Sequence, residues 1–77
     1  MAVYKVLIKT EGGKITYTTN ATTLATISYN QESDKWHVSA SHTKRQVNTK
    51  EEADDITCKS ITAFFASSGL TPNFINE

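Results

Sequence analysis

The stretch NTKEEADDITCKSITAFF, residues 48–65, sets Glu51, Glu52, Asp54 and Asp55 just ahead of an apolar run. It can be a helix start, a metal site or an acidic surface that imitates nucleic acid. Thr49 followed three residues later by Glu52 is a capping box, in which the hydroxyl accepts a helix amide and the carboxylate reaches back. The four acids fall in the first turns, where the positive end of the helix dipole favours them. Ala53, Ile56, Ser60, Ile61 and Phe64 share one side at helical spacing, with Glu51, Asp55, Lys59 and Thr62 opposite. Ser68-Gly69-Leu70 reads as a glycine C-cap, and Pro72 stops continuation. The pattern predicts a helix over about 50–68 and a tail over 69–77, whose Phe74 and Ile75 dock locally or serve a partner.

Upstream the period changes to two. Residues 3–9 put Tyr4, Val6 and Ile8 on one face of a strand and Lys5 and Lys9 on the other. Gly12-Gly13 suits a tight hairpin turn that places Glu11 opposite Lys14, Thr10 opposite Ile15 and Ile8 opposite Tyr17. From 14 to 30 the larger apolar residues hold odd positions (Ile15, Tyr17, Ala25, Ile27, Tyr29). A turn or bulge near Thr19-Asn20-Ala21 is needed to keep each strand to the usual length of about 3–10 residues. Leu24 breaks the parity. Gln31 to Asp34 reads as a four-residue loop that pairs Tyr29 with Trp36, Ile27 with Val38 and Ala25 with Ala40. A short strand at 44–47 is optional. The expected fold is a single α+β domain: an antiparallel sheet of three to four strands within residues 2–47, built on two β-hairpins and packed against one C-terminal helix.

Composition narrows the function classes. Seventy-seven residues allow one core, and a chain of this size buries only about 60% of its unfolded surface, which leaves little room for an enclosed site. Twelve Thr and seven Ser, a quarter of the chain, fit the outer face of a sheet. The single Cys58 excludes an internal disulfide and fits a reducing, cytoplasmic setting. The N-terminal apolar stretch is interrupted by Lys5 and Lys9, so neither a signal peptide nor a membrane span is expected. Net charge is zero but unevenly spread. Residues 1–50 carry seven Lys/Arg against three Asp/Glu, a net of +4, and residues 51–77 carry Lys59 against five acids, a net of −4.

Chemistry-bearing constellations are sparse. Cys58, His37 and His42 could supply a nucleophile and base, but no glycine-rich elbow positions a nucleophile, so the chain is not expected to be an enzyme. His37 and His42 would point to opposite faces of a strand, and the acidic cluster lacks the loop of a calcium site. No cofactor or metal is expected. Lys5, Lys9, Lys14, Lys35, Lys44 and Arg45 lie on strands or their ends, which makes a basic sheet face a candidate for phosphate contact. The candidate nucleic-acid residues are Lys5, Lys9, Lys35, Lys44 and Arg45. Tyr4, Tyr17, Tyr29 and Trp36 share the inward parity and read as core. Phe65, about 120° around the helix from Ala53, lies off the apolar stripe; it either anchors an exposed patch with Phe74 and Ile75 or packs on the tail while the acids merely solvate the helix.

The run KWHVSAS followed by RQVNTKEEAD, within residues 35–61, resembles the arm-type DNA-binding domains of phage-type integrases, although its strands are less basic. That resemblance implies a three-stranded sheet with one helix, the sheet reading the major groove. In format the chain is similar to the small single-domain antagonists encoded by phages and mobile elements, including anti-CRISPR proteins. The first expectation is therefore a non-enzymatic protein-binding antagonist or adaptor. It would occlude another protein, such as a nucleic-acid-binding complex, through Glu51, Glu52, Asp54 and Asp55 with Phe65 as anchor. The alternative is a small nucleic-acid-binding or regulatory protein using the basic sheet. A homodimer formed through sheet edges is a third possibility.

Overall fold

The computed structural model describes residues 2–40 and 43–77. Strands β1 (Ala2–Glu11), β2 (Lys14–Thr19), β3 (Thr22–Asn30), β4 (Lys35–Ala40) and β5 (Thr43–Val47) precede helix α1 (Lys50–Ala66), and β6 (Leu70–Asn76) follows it. They form one six-stranded sheet in the order β5-β4-β3-β2-β1-β6. The first five strands are an antiparallel meander, whereas β6 pairs with β1 in parallel. The sheet is thus mixed and larger than the three to four antiparallel strands expected, and larger than the three-stranded integrase format.

The hairpin registers follow the hydrophobic alternation. Glu11 faces Lys14, Thr10 faces Ile15 and Ile8 faces Tyr17; across the next hairpin Tyr29 faces Trp36, Ile27 faces Val38 and Ala25 faces Ala40. A one-residue slip would turn each strand's apolar set outward, so pattern and turn enforce one register. Between β2 and β3, Tyr17 faces Ala25 but Thr18 faces Thr23. Leu24 is therefore the extra residue of a β-bulge, which is why it broke the parity. The β2–β3 turn takes Asn20 and Ala21 through the left-handed region, with φ 48° and 62°. Such a pair matches the twist of the flanking strands, at a steric cost for a residue with a Cβ.

The segment expected as a tail is a strand. Phe74 is in register with Val6 on the helix side and Ile75 with Leu7 on the other, so the two apolar neighbours go to opposite faces. The Glu77 N–H donates to the Ile8 carbonyl at 2.9 Å. In a parallel ladder this gives the odd residues of β6 to β1 and turns the even ones to the free edge. Pro72 is even, so its missing N–H costs no ladder bond.

Helix α1 carries the chain from the β5 edge to the β6 edge. Seventeen residues at 1.5 Å each span about 25 Å, and six strands about 4.8 Å apart span about 24 Å. One helix is long enough to cross the sheet but too narrow to cover strands of up to ten residues. Tyr4 and Tyr29, near strand ends on the helix side, consequently stay more than a third exposed. Thr49 caps the helix, its Oγ1 accepting from the Glu52 N–H at 3.2 Å. The last helical residue is Ala66, and Gly69 leaves the helix end with φ 72°.

The buried face of α1 is Ala53, Thr57, Ile61 and Phe65, packed on Val6, Ile15, Tyr17, Ala25, Ile27 and Val38. Relative to the stripe of Ala53, Ile56, Ser60, Ile61 and Phe64, the helix is rolled by roughly 60°. Thr57 explains much of this. Its hydroxyl donates to the Ala53 carbonyl at 2.8 Å, so it enters the core without an unpaired polar atom and presents its methyl group to the sheet. The roll exchanges two aromatics: Phe65 is 3% exposed and Phe64 49%.

Candidate functional site

Strand alternation sends every strand lysine to the sheet face that the helix does not cover. Lys5 and Lys9 flank buried Val6 at odd positions of β1, and Lys14, Lys35 and Lys44 follow through the cross-strand registers. Lys9 is in register with Thr16, Thr16 with Thr26, Thr26 with Ser39, and Ser39 with Lys44. One row across five strands thus begins and ends in lysine with hydroxyls between, its end Cα atoms about 19 Å apart at about 4.8 Å per strand. The neighbouring row is Glu11, Lys14, Ser28, His37 and Gln46. Glu11 is the one acid within the strands on this face, and it already lies 3.8 Å from Lys9 Nζ. Lys35 Nζ donates to Asn48 Oδ1 at 3.1 Å.

Of the sequence candidates, Lys5, Lys9, Lys35 and Lys44 share this face. Arg45 does not. Its partner in register is buried Val38, which puts it on the helix side. Lys14, outside the candidate residues, belongs with the four, and its place opposite Glu11 is the sequence signal for that face.

The acidic candidates are less available than their spacing suggests. Asp54 Oδ1 accepts the Tyr17 hydroxyl at 2.9 Å, and its Oδ2 lies 3.7 Å from Lys50 Nζ. Asp55 pairs with Lys59 at 3.0 Å. Glu51 and Glu52 remain exposed at the helix start without an ion pair among the described residues. Phe65 is lost as a surface anchor: it is core, edge-on to Tyr4 at a centroid distance of 6.1 Å. Phe74 and Ile75 are likewise built into β6 rather than joining Phe65 in an exposed patch.

Tyr17, Asp54 and Cys58 meet with Lys50 at a small cleft of about 230 Å³ between α1 and the β1–β2 side of the sheet. Burial first, then the hydrogen bond to Asp54, hold the Tyr17 phenol far above its usual range. Burial also pushes the Cys58 thiol up; the hydrogen bond with Tyr17 pulls the other way, and the Asp54 and Asp55 charges add to the rise. A thiol kept protonated is a poor nucleophile at neutral pH. His37 faces the opposite side of the sheet from Cys58, so these two do not form a nucleophile–base pair, and His42 lies outside the described residues. No group of three or more His, Cys, Asp or Glu is arranged to hold a metal among the described residues. No helix among them is long and apolar enough to cross a membrane.

The fold defines an α+β class in which one helix bridges the two edges of a mixed sheet. No protein-family model, curated protein or solved structure matches the chain.

Proposed function

We propose that this chain is a small non-catalytic binding protein whose working surface is the uncovered sheet face, and that the face takes the phosphate backbone of a nucleic acid. The observation that supports the reading is the placing of Lys5, Lys9, Lys14, Lys35 and Lys44 on one face. A merely solvated sheet face intersperses both signs. Here a chain of zero net charge puts five of its seven lysines on the sheet face away from the helix, whose four acids, Glu51, Glu52, Asp54 and Asp55, outnumber its two lysines. Such a charge dipole steers a polyanion towards the sheet. Thr16, Thr26 and Ser39, between Lys9 and Lys44, offer hydroxyl donors to phosphate oxygens.

The test is titration of fluorescent duplex DNA and RNA at 50–200 mM salt. Each phosphate neutralised contributes roughly −0.9 to the slope of log K against log salt on a duplex. Lys9→Ala with Lys44→Ala is expected to weaken binding and flatten that slope by about 2. Absence of binding at 50 mM salt, or an unchanged slope in the double variant, refutes the reading.

A second reading is an antagonist or adaptor of the phage and mobile-element type, occluding a basic groove on another protein. What favours it is that Glu51 and Glu52 stay exposed and unpaired by any described cation, on the far side from the strand lysines. Its test uses Glu51→Lys with Glu52→Lys, because Asp54 is engaged by Tyr17 and its replacement would confound binding with stability. Loss of a stoichiometric partner from nuclease-treated bacterial lysate is the expected result; retention at the same stoichiometry removes this reading.

A further inference from the structure

The roll of α1 leaves part of its apolar stripe off the sheet. Ile56, Ser60 and Phe64, the residues that helical spacing assigns to the core, line two adjoining clefts along one flank of the helix. The first, about 210 Å³, is walled chiefly by Leu24, Ala40, Ile61 and Phe64. The second lies between α1 and β5 and brings together Lys44, Arg45, Ile56 and Lys59. Ser60 belongs to both, so the two form one trough, apolar at one end and cationic at the other.

We infer that this trough is a docking groove for an acidic peptide segment carrying one aromatic or branched aliphatic anchor, presented by a partner protein. Three features of the molecule select that occupant. The cationic end carries Arg45, which has no ion pair among the described residues and whose register with buried Val38 puts it on the helix side. Its second cation, Lys59, is held among the described residues by the exposed i,i+4 contact to Asp55 at 3.0 Å, an interaction weak enough for a ligand carboxylate to displace. The apolar end has room for one large side chain and is rimmed by Phe64, which is 49% exposed although helical spacing puts it inside. An apolar pocket beside fixed charges is the usual form of a peptide anchor site. Thr43–Val47 is also an edge strand, so an extended peptide beside it finds free main-chain donors and acceptors. A nucleic-acid backbone supplies the charge but no projecting side chain to fill the pocket.

The groove is separate from the uncovered sheet face and does not depend on that reading: Arg45 and Phe64 are on the helix side, Lys9 and Lys14 on the other. Lys44, whose strand position borders the cleft while its register with Ser39 sends the side chain to the sheet face, is left unaltered.

The test uses two fluorescein-labelled probes, an acidic decapeptide of Glu and Asp with a single central Phe and the same peptide with Ala in its place. Anisotropy is read at 50 and 150 mM salt. The Phe probe is expected to bind at least tenfold more tightly than the Ala probe. Arg45→Glu with Lys59→Glu should weaken the Phe probe at least tenfold. Phe64→Ala should bring the two probes to equal affinity while lowering the thermal midpoint by no more than about 4–8 °C, since Phe64 is half exposed. Lys9→Gln with Lys14→Gln should leave the preference for the Phe probe over the Ala probe unchanged, which separates this surface from the sheet face. Equal affinity of the two probes for the unaltered protein overturns the inference, as does indifference of the Phe probe to Arg45→Glu with Lys59→Glu. It is also overturned if that double variant instead loses binding to duplex DNA or to phosphatidylserine vesicles, or if the Phe probe displaces a second copy of the chain from a self-associated form.

Discussion

Replacing Phe65 and Phe64 one at a time tests the rolled helix directly, because the two residues are adjacent and chemically identical. Phe65 is 3% exposed, against the sheet core and edge-on to Tyr4, whereas Phe64 is 49% exposed. Truncating a buried Phe to Ala costs about 3–5 kcal/mol through lost transfer energy and the cavity left behind. Phe64 keeps only about half of its burial to lose, so its truncation should cost about 1 kcal/mol. Small domains hold roughly 0.05–0.15 kcal/mol of stability per residue, or about 4–12 kcal/mol for a chain of this length. Phe65→Ala therefore removes a large share of the total. Urea unfolding followed by tryptophan fluorescence reads both variants. With a slope of about 1 kcal/mol per molar for so small a protein, the midpoint should fall by about 3 M or more for Phe65→Ala and by about 1 M for Phe64→Ala. Phe65→Leu, which keeps most of the volume, provides an intermediate loss of about 1–2 kcal/mol if the alanine variant does not fold. The reasoning is refuted if Phe64→Ala is the more damaging change, or if the two midpoints coincide.

Tyr17→Phe should destabilise the fold by about 1.5 kcal/mol, the lower end for a hydrogen bond to a charged group, since Asp54 keeps Lys50 and some solvent. The same variant should also change the alkaline limb of stability. The buried phenol keeps its proton in the folded state while the unfolded chain releases it above about pH 10, so stability falls as pH rises past that point. Cys58, raised by burial, and Tyr29, raised by its bond to Asp34, act with the same sign, so Tyr17→Phe should reduce the slope of chemical-denaturation stability above pH 10 without abolishing it. Thr49→Ala removes the N-cap acceptor and should lower the thermal midpoint by an amount equivalent to about 1 kcal/mol, with Thr49→Asn restoring it. Ala21 sits at φ 62° in the β2–β3 turn, so Ala21→Gly should raise stability by about 0.5–1 kcal/mol; a loss of that size would contradict the left-handed turn.

The charge-split surface follows from sequence once the registers are known, and most registers were legible. Lys5, Lys9, Lys14 and Lys35 are each next in sequence to an apolar residue that points to the helix side, so period two fixes their face. Arg45 was misplaced because a five-residue strand without apolar alternation carries no parity signal. Its face is set by pairing with Val38.

The amino-acid sequence by itself determined the β1–β2 and β3–β4 hairpins with their registers, the place of the turn near Asn20, and the capped helix start, because each is written in local periodicity and turn chemistry. Tertiary structure alone decided the rest. That residues 70–76 form an edge strand depends on β1, more than sixty positions away, and LTPNFIN has no alternation to announce it. Which flank of α1 is buried depends on Thr57 satisfying its own hydroxyl and on Asp54 meeting Tyr17, both invisible to a count of apolar side chains. The roll that follows puts Phe65 in the core and leaves Phe64 beside an open trough. It arises because a helix crossing a sheet takes the orientation that best fills the space beneath it, and that space is shaped by six strands at once.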